Sequence, residues 1–227
     1  MHERIGRAIA SIDEAGERKR PSMTSETFAA TPELLKWEPI AIEELPNVLR
    51  DLEAPWWIAG GWALDLFLGR VTRAHNDVEI ALFRDDVDAV RRVLKGWEFF
   101  IAESGTFTPW RGGQALPKDA HELWSREKGR EAWQLEILVE ERKGTRWTYR
   151  RDPDIGVHAK DLGRISGGGL PYVRPEIQLL YKSKAPRPVD ETDFLTVLPH
   201  LDPAQRAFLS AALWTTAPGH RWLQRLG

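Results

Sequence analysis

Residues 56–83, WWIAGGWALDLFLGRVTRAHNDVEIALF, constrain this chain more than any other stretch. Trp56-Trp57-Ile58-Ala59 is a short apolar run that stops at Gly60-Gly61, the pattern of a buried strand entering a tight turn. Residues 62–68 then read as a helix, with Gly69 as its stop. Residues 76–83 read as a second strand. On such a strand Asp77 and Glu79 stand two apart, so both carboxylates project from one face. Oxygen donors at that spacing suit Mg²⁺, a hard ion. A Gly-Gly turn lets backbone approach a triphosphate, and the start of the next helix favours negative charge. Taken singly, an Asp-x-Glu on a strand is usually a solvated face, and Gly-Gly is usually a plain turn. Their order is what points to phosphate and metal chemistry.

The rest of the chain frames this segment. Residues 41–52 predict an amphipathic helix, with Ile42, Leu45, Val48, Leu49 and Leu52 on one face. Asp85 or Asp86 can cap a helix through Leu94, ended by Gly96. Residues 97–102 read as a strand, and 103–130 as irregular. Residues 131–140 alternate as a strand, and ERKGTR makes a hairpin turn into 147–150. Residues 166–169 read as a flexible loop. Pro175 opens a helix through Lys184. Residues 190–226 read as three short helices, with Asp202-Pro203 and Pro218 at helix starts.

The expected organisation is α+β. Residues 1–30 form an extension, 31–171 a mixed sheet with flanking helices, and 172–227 a small helical domain. Within the extension, Ile5, Ala8, Ile9 and Ile12 fall at helical spacing, and a polar linker follows until the body begins near Pro32. Met23, inside that linker, offers a second start site that N-terminal sequencing of the native protein would test.

Composition excludes several classes. The chain has no cysteine, so disulfides, thiolate zinc sites and cysteine nucleophiles are out, and a reducing cytoplasm is the simplest location. A net charge of -2 argues against broad nucleic-acid binding. No apolar run approaches the roughly 20 residues of a membrane helix, and the charged N-terminus does not read as a secretory signal. There is no Walker GxxxxGK[ST] and no HExxH. Most of the eleven tryptophans are expected in the core, with Trp62, Trp110 and Trp147 as candidates for stacking on a base or sugar.

GGWALDLFLGRVTRAHNDVEI strongly resembles the signature of the aminoglycoside and lincosamide nucleotidyltransferases, within the polymerase-beta-like nucleotidyltransferase superfamily. Arg73, His75, Asp77 and Glu79 match that family's Arg-x-His-x-Asp-x-Asp/Glu segment one by one. WQLEILVEE, WTYRRDP and PYVRPEIQLLYKSKAPRPVDETDF look like the later blocks of aminoglycoside-resistance-like relatives. The resemblance implies an adenylyltransferase that moves AMP from ATP to a hydroxyl of a small molecule and releases pyrophosphate. It implies two Mg²⁺ ions held by Asp77, Glu79 and a third acid, for which Glu136 is the best candidate. Glu136 would also take the proton from the acceptor. The alternative for Glu136 is an edge-strand acid facing water.

Gly60, Gly61, Trp62, Arg73 and Lys182 would bind the nucleotide. Arg73 could instead be a surface-loop residue, and Lys182 a solvated cation on the last helical turn. His75 reads as a packing and hydrogen-bonding residue, and Asp65 as one that bonds across the turn. Glu79 stands where many superfamily members carry Asp. The implied partners are a nucleoside triphosphate and a hydroxylated acceptor, with antibiotics as the family's prior. Nucleotidylation of a protein or RNA end, a degenerate antitoxin-like binding module and a purely structural role remain as alternatives.

Overall fold

The computed structural model describes residues 27–31 and 35–227. The expected N-terminal helix, Met23 within its linker and the start near Pro32 lie outside the described residues.

The centre of the molecule is a mixed sheet. It is built on β2 (Trp56–Ile58), β3 (Glu79–Phe83) and β7 (Leu135–Lys143). β2 and β3 are antiparallel with Trp57 opposite Ala81. β3 and β7 are parallel, in register from Glu79–Glu136 to Phe83–Glu140. Ile80, Ala81, Leu82 and Phe83 are all buried, as expected of a strand covered on both faces. On the β7 side follow β6 (Glu122–Glu127), β4 (Trp97–Glu103), β5 (Thr106–Pro109) and the two-residue β1 (Phe28–Ala29), all antiparallel. On the other side lie β11 (Pro171–Val173), parallel to β2, and β10 (Gly163–Ile165). The second half of β7 leaves this sheet and pairs with β8 (Arg146–Tyr149), which pairs with β9 (Asp152–His158).

Several expectations shift. The 41–52 helix shrinks to a 3₁₀ turn, Ile42–Glu44, and one α turn, α1 (Leu45–Val48). Pro46 explains part of this, since it is tolerated in a first turn but not inside a longer helix. The irregular 103–130 stretch contains β5 and β6. In β6 only Leu123 and Ser125 are buried, and the charged residues around them hide the alternation. β9 was also unexpected, with Pro153 and Gly156 inside it. The 166–169 loop is the turn of the β10–β11 hairpin, closed by Ser166 N–H on the Leu170 carbonyl at 2.9 Å. The expected division at 171/172 falls inside β11, and the helices begin afterwards.

Those helices are α4 (Pro175–Lys182), α5 (Pro188–Val197), α6 (Pro203–Thr216) and α7 (Leu223–Leu226). Asp202 caps α6 through the Gln205 N–H at 2.8 Å. Pro218 lies in a turn and starts no helix. α4 packs against α6, α5 and α2 (Gly60–Leu68), which places the tail on the same side as the Gly-Gly turn.

Phe194 on α5 and Trp222 stack face to face, centroids 4.2 Å apart and planes within 1°. Both are fully buried. A second aromatic cluster, Phe100, Phe107 and Trp133, closes the β4–β5 end with Trp37 and Trp124 against it. Phe194→Ala should lower stability by roughly 3–5 kcal/mol, the usual range for emptying a buried aromatic site. Thermal or urea unfolding measures this. A loss below about 1 kcal/mol would show that the tail does not depend on this stack.

Candidate active site

The strand β3 begins at Glu79, so Asp77 precedes it instead of lying within it. The ladder nevertheless reaches back, because Glu136 N–H bonds the Val78 carbonyl at 2.9 Å. Parallel register then sets Glu79 beside Glu136, on strands about 4.8 Å apart. Asp77, Glu79 and Glu136 all line one cleft of about 720 Å³. A fourth carboxylate joins them. Glu122 on β6 lines the same cleft, adds to the charge around Glu136 and accepts the Trp124 indole N–H at 2.8 Å. Sequence reasoning missed Glu122 because β6 itself was not legible.

The Gly-Gly turn is shaped by these side chains. Gly60 has φ +62°, and a Cβ there would lie 1.3 Å from Glu79 Oε2. A Cβ on Gly61 would lie 2.4 Å from the Arg73 guanidinium and 2.5 Å from the His75 ring. Both glycines therefore make room for protein side chains. The Gly60 N–H is already donated to Gln178 Oε1 at 2.9 Å, from α4. Gln178 is a second cleft residue that sequence reasoning missed.

A knot of hydrogen bonds fixes the loop that carries Asp77. Asp65 on α2 accepts the Thr72 N–H at 3.1 Å and meets His75 Nε2 at 2.6 Å. Trp62 stacks on His75 at 4.4 Å and is not among the residues lining the cleft. Trp110 and Trp147 are buried, so neither offers a stacking face. Trp147 instead donates to Glu140 Oε2 at 2.7 Å, which also accepts the Tyr181 hydroxyl at 2.6 Å.

Arg73 and Lys182 line the cleft, but their charges are engaged. Asp193 on α5 takes Arg73 Nε at 2.8 Å and Nη2 at 3.1 Å, and also Lys182 Nζ at 3.1 Å. Asp190 takes Lys182 Nζ at 2.7 Å and Arg187 Nε at 2.9 Å. The result is a belt of alternating charge running Arg73, Asp193, Lys182, Asp190, Arg187. Burial would raise the Asp190 carboxyl, but hydrogen bonds from Arg187 and Lys182 overcome it and hold the group well below the usual carboxylate range. Three further cations line the cleft: Arg150, Arg151 and Lys184. Among the described residues none of these three is ion-paired with an acid. Arg151 bonds neutral oxygens, the Tyr149 hydroxyl at 2.8 Å and the Tyr181 carbonyl at 3.1 Å.

The acidic floor is electrostatically strained. Glu79 is pushed up to about 7, first by burial and then by the Asp77 charge. Glu136 lies well above its ordinary value, first through burial, then through the charges of Glu79, Glu122 and Asp77. Among the described residues no three His, Asp or Glu side chains are arranged to enclose an ion as they stand. The donor set still fits a hard cation. All its donors are carboxylate oxygens, and among the described residues none of Asp77, Glu79 and Glu136 is ion-paired with Lys or Arg. A cleft with carboxylates on the floor and cations on the rim can hold a divalent ion below a polyphosphate.

The family model for aminoglycoside-2″-adenylyltransferase matches residues 41–193. Curated 2″-aminoglycoside nucleotidyltransferases of Escherichia coli and Klebsiella pneumoniae are each 44% identical over 45 residues, 18% of this chain. That match spans 25% of each relative's length. Among solved structures, ANT(2″)-Ia in complex with adenylyl-2″-tobramycin superposes with a TM-score of 0.52 at 14% identity, covering 78% of this chain and 97% of that one. A solution structure of the antibiotic-resistance factor ANT(2″)-Ia gives 0.50 at 17% identity, covering 77% and 89%. At such identities the likeness is one of fold.

The strained floor predicts a pH dependence for the metal-free protein. Between the ordinary value of 4.5 and about 7, the unfolded chain has released the Glu79 proton while the folded chain keeps it. Stability therefore falls as pH rises through that window and levels off above it. The Glu79 contribution to the loss should be on the order of 3 kcal/mol. Mg²⁺ should restore most of it at pH 8, and Glu79→Gln should make the profile shallower, with buried Glu136 keeping part of the slope. Melting temperatures measured from pH 5 to 8, with and without Mg²⁺, test this. A flat metal-free profile would mean that the acids do not crowd one another.

Proposed function

Because the chain belongs to the aminoglycoside-2″-adenylyltransferase family, we propose that it transfers AMP from ATP to a hydroxyl of a small molecule and releases pyrophosphate. The observation that carries this reading is the in-register pair Glu79 and Glu136, with Asp77, in a cleft that Arg150, Arg151, Lys184 and Arg187 also line. Asp77, Glu79 and Glu136 are the residues that would hold Mg²⁺, two ions by the family's pattern. When bound, the metal would offset charge on the reacting phosphate and the leaving pyrophosphate.

The chain's own residues do the remaining work. Glu136 accepts the proton of the acceptor hydroxyl. Its burial and the charge of Glu79 raise its affinity for that proton, which suits a base. The freed oxygen forms a bond to the α-phosphorus, and the bond from that phosphorus to the bridging oxygen breaks. Lys184, Arg150 and Arg187 face the outer phosphates from the rim. Gly60 and Gly61 serve the nucleotide indirectly, by making room for the Glu79, Arg73 and His75 side chains beside it. Arg73 and Lys182, held by Asp193 and Asp190, act as fixed charges beneath the phosphates; Trp62 acts only by bracing His75. Most of the rate gain then comes from positioning and fixed charge. No helix among the described residues is long and apolar enough to cross a membrane.

Glu136→Gln should lower kcat by about 10²–10⁴ while changing the KM for ATP only a few-fold. Asp77→Asn should weaken MgATP binding as well. The measurement is pyrophosphate release with MgATP against aminoglycosides, lincosamides and hydroxylated metabolites, with the adenylylated product identified by mass. Tight MgATP binding with no turnover on any acceptor would instead support a degenerate nucleotide-binding module. Unchanged MgATP binding in Asp77→Asn would remove the metal site from the account.

A further inference from the structure

The wall of the cleft beyond Glu136 carries a histidine that the transfer reaction as described leaves idle. β6 and β7 pair with Glu122 opposite Leu138, and the ladder runs on until the Val139 N–H bonds the His121 carbonyl at 2.9 Å. His121 therefore stands level with Val139, roughly 10 Å along the strand from Glu136. The Gly60 turn lies the other way, where the Ala59 N–H bonds the Glu79 carbonyl at 2.8 Å. The charges of Lys182 and Arg187 also act there, on Glu79. Passing from the turn across Glu136 to His121 thus leads from the nucleotide's side of the base to the acceptor's side.

The orientation of the His121 ring is fixed from outside the cleft. His121 lines the cleft, whereas Arg84 and Glu141 do not. Its Nδ1 is turned toward that outer pair, 3.1 Å from Arg84 Nη2 and 3.6 Å from Glu141 Oε1. A guanidinium can only donate, and 3.6 Å is too long for a hydrogen bond. Nδ1 is therefore the acceptor, and in the neutral ring the proton sits on Nε2, at the edge away from Arg84. Among the described residues that N–H has no acceptor. Burial, then the charges of Arg150 and Arg84, lower the proton affinity of the ring against the pull of Glu141 and Asp119, which keeps it neutral. Arg84 also bonds the Pro117 carbonyl at 3.0 Å, the Ala120 carbonyl at 2.9 Å and Glu141 Oε1 at 2.7 Å, so the segment leading into His121 is pinned as well.

We propose that His121 is an acceptor-binding residue that donates its Nε2–H to an oxygen of the molecule receiving AMP, and that Arg84 is the positioning residue that sets its tautomer. This inference rests on the transferase reading above. A single neutral donor recognises a hydroxyl or ether oxygen and brings no positive charge of its own against cationic groups elsewhere on the acceptor.

The test uses MgATP and whichever member of the aminoglycoside, lincosamide and hydroxylated-metabolite panel turns over fastest. His121→Ala should raise the KM for that acceptor about three- to tenfold, the effect of losing one neutral hydrogen bond, and leave the KM for ATP unchanged. His121→Gln, whose amide supplies an N–H donor, should recover part of the loss. Nitrogen-15 NMR of histidine-labelled protein at pH 8 should find the His121 proton on Nε2. Arg84→Met, which keeps a long stem without donors, should erode that tautomer preference and raise the acceptor KM with it. An unchanged acceptor KM in His121→Ala, a rise in the KM for ATP instead, or a proton found on Nδ1 overturns the role of His121 and leaves the transferase reading standing. No turnover of any acceptor by the unaltered protein overturns both.

Discussion

The parallel pairing of β3 with β7 forces two glutamates side by side at the edge of a dry interior, and much of the local structure answers to that. Neither carboxylate has a basic partner among the described residues; after burial, the Asp77 charge raises the proton affinity of Glu79, and the Glu79 charge raises that of Glu136. Like charges so placed oppose folding unless something positive lies between them. A fold selected only for stability would have an apolar pair here, as at Ile80 and Ile137 one step further along the same ladder. The site is thus a local departure from the rule that governs the rest of the sheet, as expected where chemistry outranks stability.

The helical tail is part of that answer. Its first helix supplies Gln178, which holds the Gly60 turn, and Lys182, which reaches toward the acidic floor. Its second supplies Asp190 and Asp193, which collect three cations from three segments of chain. Asp193 is followed directly by Phe194, whose stack on Trp222 locks α5 in place. Packing of the tail and placement of charge at the cleft are therefore one structural problem. A loosened tail would release Arg73 and Lys182 together, and with them the loop that carries Asp77.

Legibility in the sequence followed the range of the forces involved. The strand, glycine turn, helix and following strand at 56–83 were readable because local pattern and backbone freedom dictate them. Glu136 was readable as an acid among apolar neighbours. Glu122 was not, because β6 buries only every second residue and dresses the others in charge. The fork of Arg73 was expected at a phosphate and lies instead on Asp193, 120 positions away. Gln178 looked like an ordinary helical residue until the fold brought it against Gly60. Long-range pairing of this kind leaves no periodic trace along the chain.

Glu79 and Gly60 explain each other. The extra methylene of Glu, relative to the Asp common at this point in the superfamily, carries the carboxylate outward until Oε2 occupies the space where residue 60 would carry its Cβ. Glycine at 60 is therefore required twice, once for φ +62° and once for that volume. With Asp at 79 the same glycine would be needed for its backbone alone. The pairing of a longer acid with a vacated Cβ keeps the carboxylate beside Glu136 without moving either strand. It is a steric solution, settled before any ion arrives, and it accounts for how the departure from the family's commoner residue is compatible with the same cleft.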